Sequence, residues 1–503
     1  QINLITKLKI ISKMKNAVLL QLLILRISGV FLIQTSFVPD EYWQSLEVAH
    51  EIVFGYGYFT WEWTSGIRSS LTIMPVLVIF KILSWFRLDS PILLILLPRV
   101  TYSILCAYGD YSVYVSSKLH YGPRCAYYTF LCLSTSWFLY YCSSRTLVNN
   151  LEQVLVSLGW YFYSRKKFDK SYSSIHLILV ICIGIIMRPT SAIILGPLWL
   201  LNGWENERNL LKYFLASFFS GVVFLAVSVL LDLMIYERFL LTPLAFLEFN
   251  VFTDGSSAFG THPWHWYFSQ GLPVAMLTHL ISIYTIFIDM KHKTTRSIAW
   301  IFMLYVVGYS FISHKEIRFL LPILPLMCSL GGRFLSNISP RNAKKWVTCL
   351  WIINIPLVLY LGLVHQRGSL DVINYLRTEC QNRAEAGYSC SVLQLMPCHS
   401  IPHLSHVHLP IEMAFLTCEP NLERNLTYVD EADLFYMDIE AWIKNRPGLS
   451  SDYLVMFDEL NSRVEPNLWE KLGYILDKSF FHTHFPTGRQ GTQILVYKST
   501  SKK

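Results

Sequence analysis

Long apolar runs separated by short polar segments extend over most of this chain. The first run covers residues 17–37 and is interrupted only by Arg26, and it has roughly the 20 residues that a helix needs to cross a bilayer. Further apolar runs lie at residues 71–86, 91–117, 125–142, 150–164, 175–187, 191–201, 212–236, 271–289, 298–313, 319–335 and 346–364. If the run at 71–86 lies in the membrane surface and the others cross, the pattern predicts a polytopic α-helical membrane protein with about eleven transmembrane helices.

Composition and charge agree with this fold class. The chain of 503 residues is 53% hydrophobic and only 15% charged, against roughly 25% charged residues in soluble domains. Its net charge of +8 comes from Lys and Arg in short loops between the apolar runs. Such loops are typically cytoplasmic, so the charge requires no nucleic-acid partner, and residues 38–70 are expected in the lumen. A rival threading crosses at 71–86 and joins 175–201 into one helix, but it leaves two basic loops in the lumen.

The pattern changes after residue 364. Short apolar runs at 391–396, 453–457 and 493–497 are separated by polar turns, which predicts strands of a small α/β domain. The loop topology puts this domain in the lumen. We therefore predict a transmembrane domain over 1–364 and a lumenal C-terminal domain over 365–503. Asn425 begins a glycosylation sequon there.

The cysteines of the C-terminal domain allow two interpretations. Cys380, Cys390, Cys398 and Cys418 lie in a compartment that permits disulfides, and four cysteines allow three pairings. We predict a bond between Cys398 and Cys418. The alternative is a zinc site, because Cys398 lies in one segment with His399, His403, His406 and His408.

Two adjacent carboxylates, Asp40 and Glu41, follow the first apolar run. A carboxylate shielded by protein and lipid suits a general base, since burial raises its pKa toward neutrality. Cationic residues cluster at the ends of other apolar runs on the same predicted face, and they suit a phosphate group. These are Arg68, Arg145, Arg188, His314, Lys315 and Arg318.

Aromatic residues crowd the loop that contains the carboxylates. Tyr42, Trp43, Tyr56, Tyr58, Trp61 and Trp63 could stack on sugar rings or form an interfacial aromatic belt. A base beside a phosphate-binding cluster, within reach of lipid, describes group transfer from a lipid phosphate to an acceptor hydroxyl.

Three segments carry a resemblance to a known family: VPDEYWQ at 38–44, TWEWT at 60–64 with Arg68 and Ser69, and SHKEIRF at 313–319. They resemble signatures of the dolichyl-phosphate-mannose-dependent mannosyltransferases of glycosyltransferase family 22, and the similarity runs nearly end to end. The resemblance implies the type C glycosyltransferase fold (GT-C), an endoplasmic reticulum membrane location and a lumenal active site. It also implies an inverting reaction with Asp40 as the base and Glu41 orienting the acceptor or sharing that role.

The family resemblance also implies substrates. Segments 260–271, 362–368, 396–400 and 430–433 are most similar to the branch that mannosylates glycosylphosphatidylinositol (GPI) precursors through an α-1,2 bond. The donor would be dolichyl-phosphate-mannose and the acceptor a mannosylated GPI lipid, with no cofactor and no metal. Residues implied in acceptor or sugar binding are Trp43, Gln44, Trp61, Glu62, Trp63, His262, His265 and Glu316.

Two alternative functions are compatible with the same sequence features. A mannosyltransferase of N-glycan precursor assembly would share the family motifs, with α-1,2 or α-1,6 specificity. A lipid or sugar transporter would also have many spans with charged residues inside the membrane. A transporter would place those charges near the bilayer midplane and show repeated halves. The sequence shows neither of these two features clearly.

Overall fold

The computed structural model describes residues 2–253, 255–421, 425, 427–445 and 451–500, with side chains from residue 17 onward. The chain folds into two compact units. The first unit contains residues 1–31, 66–74 and 99–358, and the second contains residues 32–65, 75–98 and 359–503. The loop that carries Asp40 thus belongs to the same unit as the C-terminal segment.

Helices dominate residues 2–363. The longer ones are Ile2–Leu32, Met74–Phe86, Pro91–Tyr121, Pro123–Thr135, Val148–Phe168, Ile175–Met187, Ala192–Asn206, Leu210–Tyr236, Lys293–Ser310, Leu324–Asn337 and Pro340–Leu363. Shorter helical segments are Tyr42–Leu46, Glu47–Phe54, Trp61–Thr64, Ser70–Thr72, Trp137–Cys142, Pro189–Ser191, Thr242–Leu247, Glu248–Phe252, Gly255–Phe259, Tyr267–Gly271, Leu272–Met276, Leu277–Leu280, Ile281–Ile288 and Ile317–Ile323.

The helices confirm a polytopic membrane protein. Within the described residues, five helical stretches are long and apolar enough to cross a bilayer: Pro91–Tyr121, Leu210–Tyr236, Tyr267–Ile288, Ile317–Asn337 and Pro340–Glu385. Three shorter apolar helices cover Ala17–Leu32, Met74–Phe86 and Ile175–Met187.

The helical conformation is interrupted between the helices Ile175–Met187 and Ala192–Asn206. Arg188 has an extended backbone with φ −148°, and Pro189 opens a short 3₁₀ turn. Proline has no N–H to donate and its ring clashes with the preceding helical turn, so one continuous helix does not form here. The single helix over 175–201 that the rival threading requires is therefore not present.

A buried ion pair explains the charge inside the first apolar run. The Arg26 guanidinium lies 2.7 Å from an Asp110 carboxylate oxygen, and both side chains are fully enclosed. Arg26 also donates to the Leu133 carbonyl at 3.0 Å. Ionisable groups at membrane depth are costly unless paired, so this pair allows helices 2–32 and 91–121 to carry charge inside the first unit.

The C-terminal part of the second unit is an α/β domain, as predicted. Its strands are β1 Ser391–Leu395, β2 Glu412–Phe415, β3 Tyr453–Phe457, β4 Tyr474–Phe481 and β5 Gln493–Ser499. They form one sheet in the order β2-β1-β3-β5-β4. β1 pairs in parallel with β2 and β3, whereas β5 pairs antiparallel with β3 and β4. The remaining helical segments are Gly368–Glu385, Leu404–Val407, Glu431–Met437, Ile439–Lys444, Asp458–Arg463 and Leu468–Lys471.

Both faces of this sheet are covered. Successive strand residues point to opposite faces, so Val392 packs with Leu376 of helix 368–385 on one face. Leu393 packs with Phe435 of helix 431–437 on the other. The predicted glycosylation site Asn425 is exposed, and its Oδ1 accepts hydrogen bonds from the Thr427 N–H and hydroxyl.

Candidate active site

The two predicted catalytic carboxylates begin a helix of the second unit. It starts at Asp40, passes through a π-helical turn at Tyr42–Leu46 and ends where Gly55 adopts φ 78°. Asp40 is half-buried, whereas Glu41 is buried and its Oε1 accepts the Phe37 N–H at 2.8 Å. Glu41 thus holds the turn in front of the helix, which makes Asp40 the better candidate for the base.

Trp43, on the next turn of this helix, lies inside the second unit with 1% of its surface exposed. Its indole N–H donates to the Ile401 carbonyl at 3.0 Å. Its ring contacts the rings of His399, His403 and Phe415 at centroid distances of 4.4 to 5.0 Å. The predicted stacking of Trp43 on a sugar does not fit this burial, and the ring instead anchors the helix that carries Asp40.

The short helix Trp61–Thr64 is fixed in a similar way. Trp63 is 1% exposed and its indole N–H donates to Gln44 Oε1 at 3.0 Å. Sugar stacking by Trp63 therefore does not fit either. Glu62 and Trp61 are also buried, and Trp61 lines a small cleft. The other residues lining this cleft are Tyr58, His399, Phe415, Thr417, Cys418 and Glu419.

The helix Glu47–Phe54 packs along residues 401–408. Glu47 Oε2 accepts the Ser405 N–H at 2.8 Å, and His50 Nε2 lies 2.9 Å from His408 Nδ1. Burial raises the pKa of Glu47 to about 7, although the Ser405 N–H opposes this shift. Burial also lowers the pKa of His50 to about 4. The segment 401–408 therefore packs against the helix that carries Asp40 and Glu41 and stabilises it.

The structure pairs Cys398 with Cys418, with Cα atoms 5.9 Å apart, and also pairs Cys380 with Cys390. Cys398, His399 and Cys418 lie close enough together to hold a metal ion. A disulfide, however, leaves no thiolate for zinc.

The remaining histidines of this segment also do not converge on a metal. His403 stacks on Trp43, His406 contacts Tyr42 edge-on at 5.1 Å, and His408 contacts His50. Their separate partners favour the disulfide over the zinc alternative.

His399 is a residue of this region that the sequence did not single out for catalysis. Burial lowers the pKa of His399, while the charges of Glu62 and Asp40 oppose the shift. The imidazole is therefore neutral near pH 7 and lies within electrostatic range of both carboxylates. The disulfide at the adjacent Cys398 holds it there.

In the first unit, three of the predicted phosphate-binding residues, His314, Lys315 and Arg318, lie in one short segment. Glu316 lies between two cations: His314 Nε2 is 3.0 Å from Oε1, and Arg318 Nε donates to Oε2 at 2.8 Å. Burial opposes the charged form of Glu316, but Arg318 and His314 lower its pKa to about 2. Burial likewise opposes the charge on His314, and Glu316 outweighs it, so the pKa of His314 is raised. Glu316, predicted to bind sugar, thus orients His314 and Arg318.

Lys315 has a different immediate role from the one predicted. Its buried ammonium donates to the carbonyls of His262 and Ile312 at 2.9 and 2.6 Å. The His262 N–H donates to the Ser313 carbonyl at 3.1 Å, and His314 Nδ1 donates to the Gly260 carbonyl at 3.0 Å. These bonds join loops 260–262 and 312–315. His265 is exposed in the same segment, 3.2 Å from the Ser269 hydroxyl.

Two guanidinium groups meet at Phe319. Arg188 lies over this ring at 4.9 Å and Arg318 at 5.6 Å. Arg188 also pairs with the buried Glu152 at 3.2 Å. The charge of Arg318 acts against that of Arg188, and like charges repel each other, so the arrangement is suited to an additional anion such as a phosphate.

Arg68 and Arg188 line one small cleft of the first unit. The Arg68 carbonyl accepts the Tyr236 hydroxyl at 2.6 Å. Buried Asp232 accepts the Ser70 N–H at 2.8 Å and the Thr242 hydroxyl at 2.6 Å. Asp232 therefore fixes the turn after Arg68.

Arg145 lies in the turn that precedes helix 148–168. Its guanidinium lies 4.2 Å from the centre of the Tyr141 ring, and its carbonyl accepts Asn150 Nδ2 at 2.8 Å. Helix 148–168 also carries Glu152 in its first turns. Arg68, Arg145, Arg188, Lys315 and Arg318 are five cations, against the three carboxylates of Glu152, Asp232 and Glu316 that are described with them.

Comparison with known proteins relates this arrangement to a family. A family model described as the Alg9-like mannosyltransferase family matches residues 17–408. The protein named GPI alpha-1,2-mannosyltransferase 3 of Bos taurus is 40% identical over 95% of this chain and 88% of its own length. The protein of the same name from Homo sapiens is 39% identical over 95% of this chain and 86% of its own length.

A solved structure supports the fold. The crystal structure of ArnT from Cupriavidus metallidurans bound to undecaprenyl phosphate is similar with a TM-score of 0.62, covering 96% of this chain and 98% of that chain. At 10% sequence identity, this similarity concerns the fold alone. With the family match, it confirms the predicted GT-C fold.

Proposed function

Because this chain belongs to the Alg9-like mannosyltransferase family, we propose that it adds the third mannose of the GPI core in the endoplasmic reticulum. The mannose would be transferred from dolichyl-phosphate-mannose to the second mannose of the precursor in α-1,2 linkage. The observation that carries the proposal is similarity at 40% identity over 95% of the chain to a relative named for this activity. The chain is thus an enzyme, a membrane-embedded mannosyltransferase.

The chemistry requires one base. The donor sugar is β-linked to phosphate and the product is α-linked, so a single in-line displacement inverts C1. Asp40 takes the proton of the acceptor 2-hydroxyl, and the hydroxyl oxygen forms the new bond to C1. The bond between C1 and the phosphate oxygen breaks, and dolichyl phosphate leaves as an anion. No general acid is needed, because a phosphate is already a good anionic leaving group.

The departing phosphate gains negative charge, which the predicted phosphate-binding cations would stabilise. Arg318 and Arg188 are the strongest candidates, since Glu316 and Glu152 hold their guanidinium groups in place. Guanidinium forms bidentate bonds with phosphate oxygens. With this role filled by side chains, we expect transfer to persist in EDTA and to gain nothing from Mg²⁺.

The test compares membranes from cells that lack the protein with membranes from the same cells after the gene has been restored. Labelled dolichyl-phosphate-mannose should give a three-mannose GPI lipid whose label is released by an α-1,2-mannosidase. Cells without the protein should accumulate the two-mannose precursor. Label entering the N-glycan precursor instead would overturn the acceptor assignment.

A matched pair of variants tests the phosphate role. Arg318→Ala should lower transfer by on the order of 10²-fold, whereas Arg333→Ala, which removes an arginine paired with Asp289, should retain transfer per folded molecule. Restoration of EDTA-inhibited activity by a divalent ion would instead indicate a metal-bridged phosphate.

A further inference from the structure

A groove outside the proposed active site lies between helices 192–206 and 293–310 of the first unit. Its volume is about 490 Å³, within the range of about 300–1,000 Å³ of small-molecule sites. The walls are mostly apolar and consist of Pro197, Leu200, Leu201, Trp204, Ser297, Trp300, Ile301 and Leu304, with Glu205, Lys293 and Arg296 at one end.

The apolar walls open to the surroundings of the protein. Leu200 is 62% exposed and Trp300 61%, and Trp204 is 88% exposed beside the charged end. Both helices overlap with apolar runs that the sequence predicts to cross the membrane, 191–201 and 298–313, so we expect these side chains to meet lipid. Tryptophan is enriched where the hydrocarbon core meets the headgroup layer, which places the charged end of the groove at headgroup level.

Positive charge dominates that end. Glu205 is the only carboxylate among the described residues that line the groove. It is already paired with Lys167 at 3.0 Å and Lys293 at 3.4 Å, and it accepts the Tyr163 hydroxyl at 2.8 Å. Arg296 is exposed and forms no ion pair with the residues that the structure describes. Three cations therefore surround one carboxylate.

An apolar channel that ends in excess positive charge matches an amphiphile with an anionic head. Basic pockets between transmembrane helices on the cytoplasmic side bind anionic lipid headgroups. The loops that border this end, 165–170 and 289–292, are the basic loops whose composition predicts a cytoplasmic position.

We propose that this groove binds an anionic glycerophospholipid of the cytoplasmic leaflet. The phosphate and headgroup contact Arg296 and Lys293, and one acyl chain lies along Trp300, Leu304 and Leu200. The site is separate from the proposed transfer chemistry and does not depend on it.

The experiment reconstitutes the full chain with vesicles of phosphatidylcholine that contain about one-fifth phosphatidylserine, in excess over the protein. The protein is then repurified in mild detergent, and the retained lipids are extracted and quantified. Retained lipid should be enriched in phosphatidylserine over the vesicle composition. The variant Lys293→Gln/Arg296→Gln should lose the enrichment by roughly tenfold.

Two further variants make the result specific. Lys118→Gln/Lys212→Gln removes two exposed lysines outside the groove and should retain the enrichment. Arg296→Gln alone, which leaves the pairing of Lys293 with Glu205 intact, should lose part of it. The proposal is overturned if retained lipid has the vesicle composition, if the double variant in the groove keeps the enrichment, or if cross-linking places a second copy of the chain there.

Discussion

At the scale of single residues, the structure distinguishes predicted site residues that are enclosed from those that are partly exposed. Trp43 and Trp63 are residues of the type expected in a sugar-binding loop. Both indoles, however, are enclosed and hydrogen-bonded inside the second unit. The sequence could not reveal this burial, because the partner of Trp43 is Ile401, 358 residues away. The pair Asp40 and Glu41, by contrast, was predicted as a site from its position after the first apolar run, and the family resemblance implied Asp40 as the base.

Asp40→Asn should lower mannosyl transfer by roughly 10²- to 10⁴-fold, the range of general-base contributions, while leaving protein abundance unchanged. Asparagine has nearly the same shape but cannot accept the proton. The measurement is transfer from labelled dolichyl-phosphate-mannose per folded molecule in membranes. Glu51→Gln, a change on the same helix, is the control. Near wild-type turnover of Asp40→Asn would remove Asp40 from the mechanism.

Glu47 gives a prediction about pH. Its pKa is about 7 in the folded protein against 4.5 ordinarily, so the folded state binds the extra proton between these values. Stability contributed by this proton is full below about pH 4.5 and is lost as pH rises through 7. Glu47→Gln keeps an acceptor for the Ser405 N–H without the charge. It should therefore gain stability over wild type, on the order of 3 kcal/mol, above neutral pH.

Apparent Tm of the purified full chain between pH 5 and 8 measures this effect. The difference between Glu47→Gln and wild type should be small at pH 5 and grow toward pH 8. Because the buried histidines titrate equally in both proteins, the difference isolates Glu47. Glu412→Gln, at an exposed position, should give no such trend. Parallel pH curves for Glu47→Gln and wild type would show that Glu47 is ionised throughout.

At the scale of elements, the apolar runs of the sequence predicted the positions of most long helices, but they did not predict the short helices and turns between them. Predicted strands at 391–396, 453–457 and 493–497 are confirmed as β1, β3 and β5. β4 was missed because its exposed positions, including Asp477 and Lys478, interrupt the apolar pattern of an edge strand. The predicted span at 271–289 is confirmed as the apolar helical stretch Tyr267–Ile288, but this stretch consists of short helices with an irregular residue at Leu277, φ 45°.

The helix at 40–54 was predicted only as a lumenal loop. Its apolar residues do recur at helical spacing, as at Leu46, Ala49 and Val53, so a signal was available in the sequence. The structural role of Asp232 also had a signal in the sequence, because Asp232 is a lone carboxylate within an apolar run. The pairing of Arg188 with Glu152 depends on tertiary packing and had no local signal.

The ion pair between Arg26 and Asp110 yields a prediction for helices 2–32 and 91–121. Asp110→Leu alone should destabilise the protein by about 3–5 kcal/mol, because it leaves a buried charge without its partner. The double variant Arg26→Met/Asp110→Leu should recover much of this loss. The measurement is apparent Tm in detergent together with steady-state abundance. A double variant as unstable as the single one would mean that the pair is needed for specific helix packing.

At the scale of the whole molecule, the membrane topology determines which charges share a compartment. Ser173→Cys tests it, because residue 173 is cytoplasmic in the preferred threading and lumenal in the rival. The position is exposed. In sealed microsomes, a membrane-impermeant thiol reagent should label Ser173→Cys. The background should carry Cys182→Ser and Cys349→Ser, which removes the partly exposed free cysteines among the described residues.

Two control positions make the labelling interpretable. Lys291→Cys is cytoplasmic in both threadings and should be labelled, whereas Glu412→Cys is lumenal in both and should be protected until detergent is added. Both positions are exposed. Protection of Ser173→Cys alongside labelled Lys291→Cys would favour the rival threading and remove Arg145 from the phosphate-binding set.

Helix 40–54 and residues 401–408 contact each other but are synthesised at different times. Trp43, Glu47 and His50 each bond a residue that lies 358 positions later. At roughly 5–20 residues per second, the ribosome makes the second partner roughly 20–70 seconds after the first. The helix that carries Asp40 therefore leaves the ribosome long before its binding surface exists. During that interval its buried tryptophan is open to chaperones, and synthesis that stops before residue 408 leaves the carboxylate without its support.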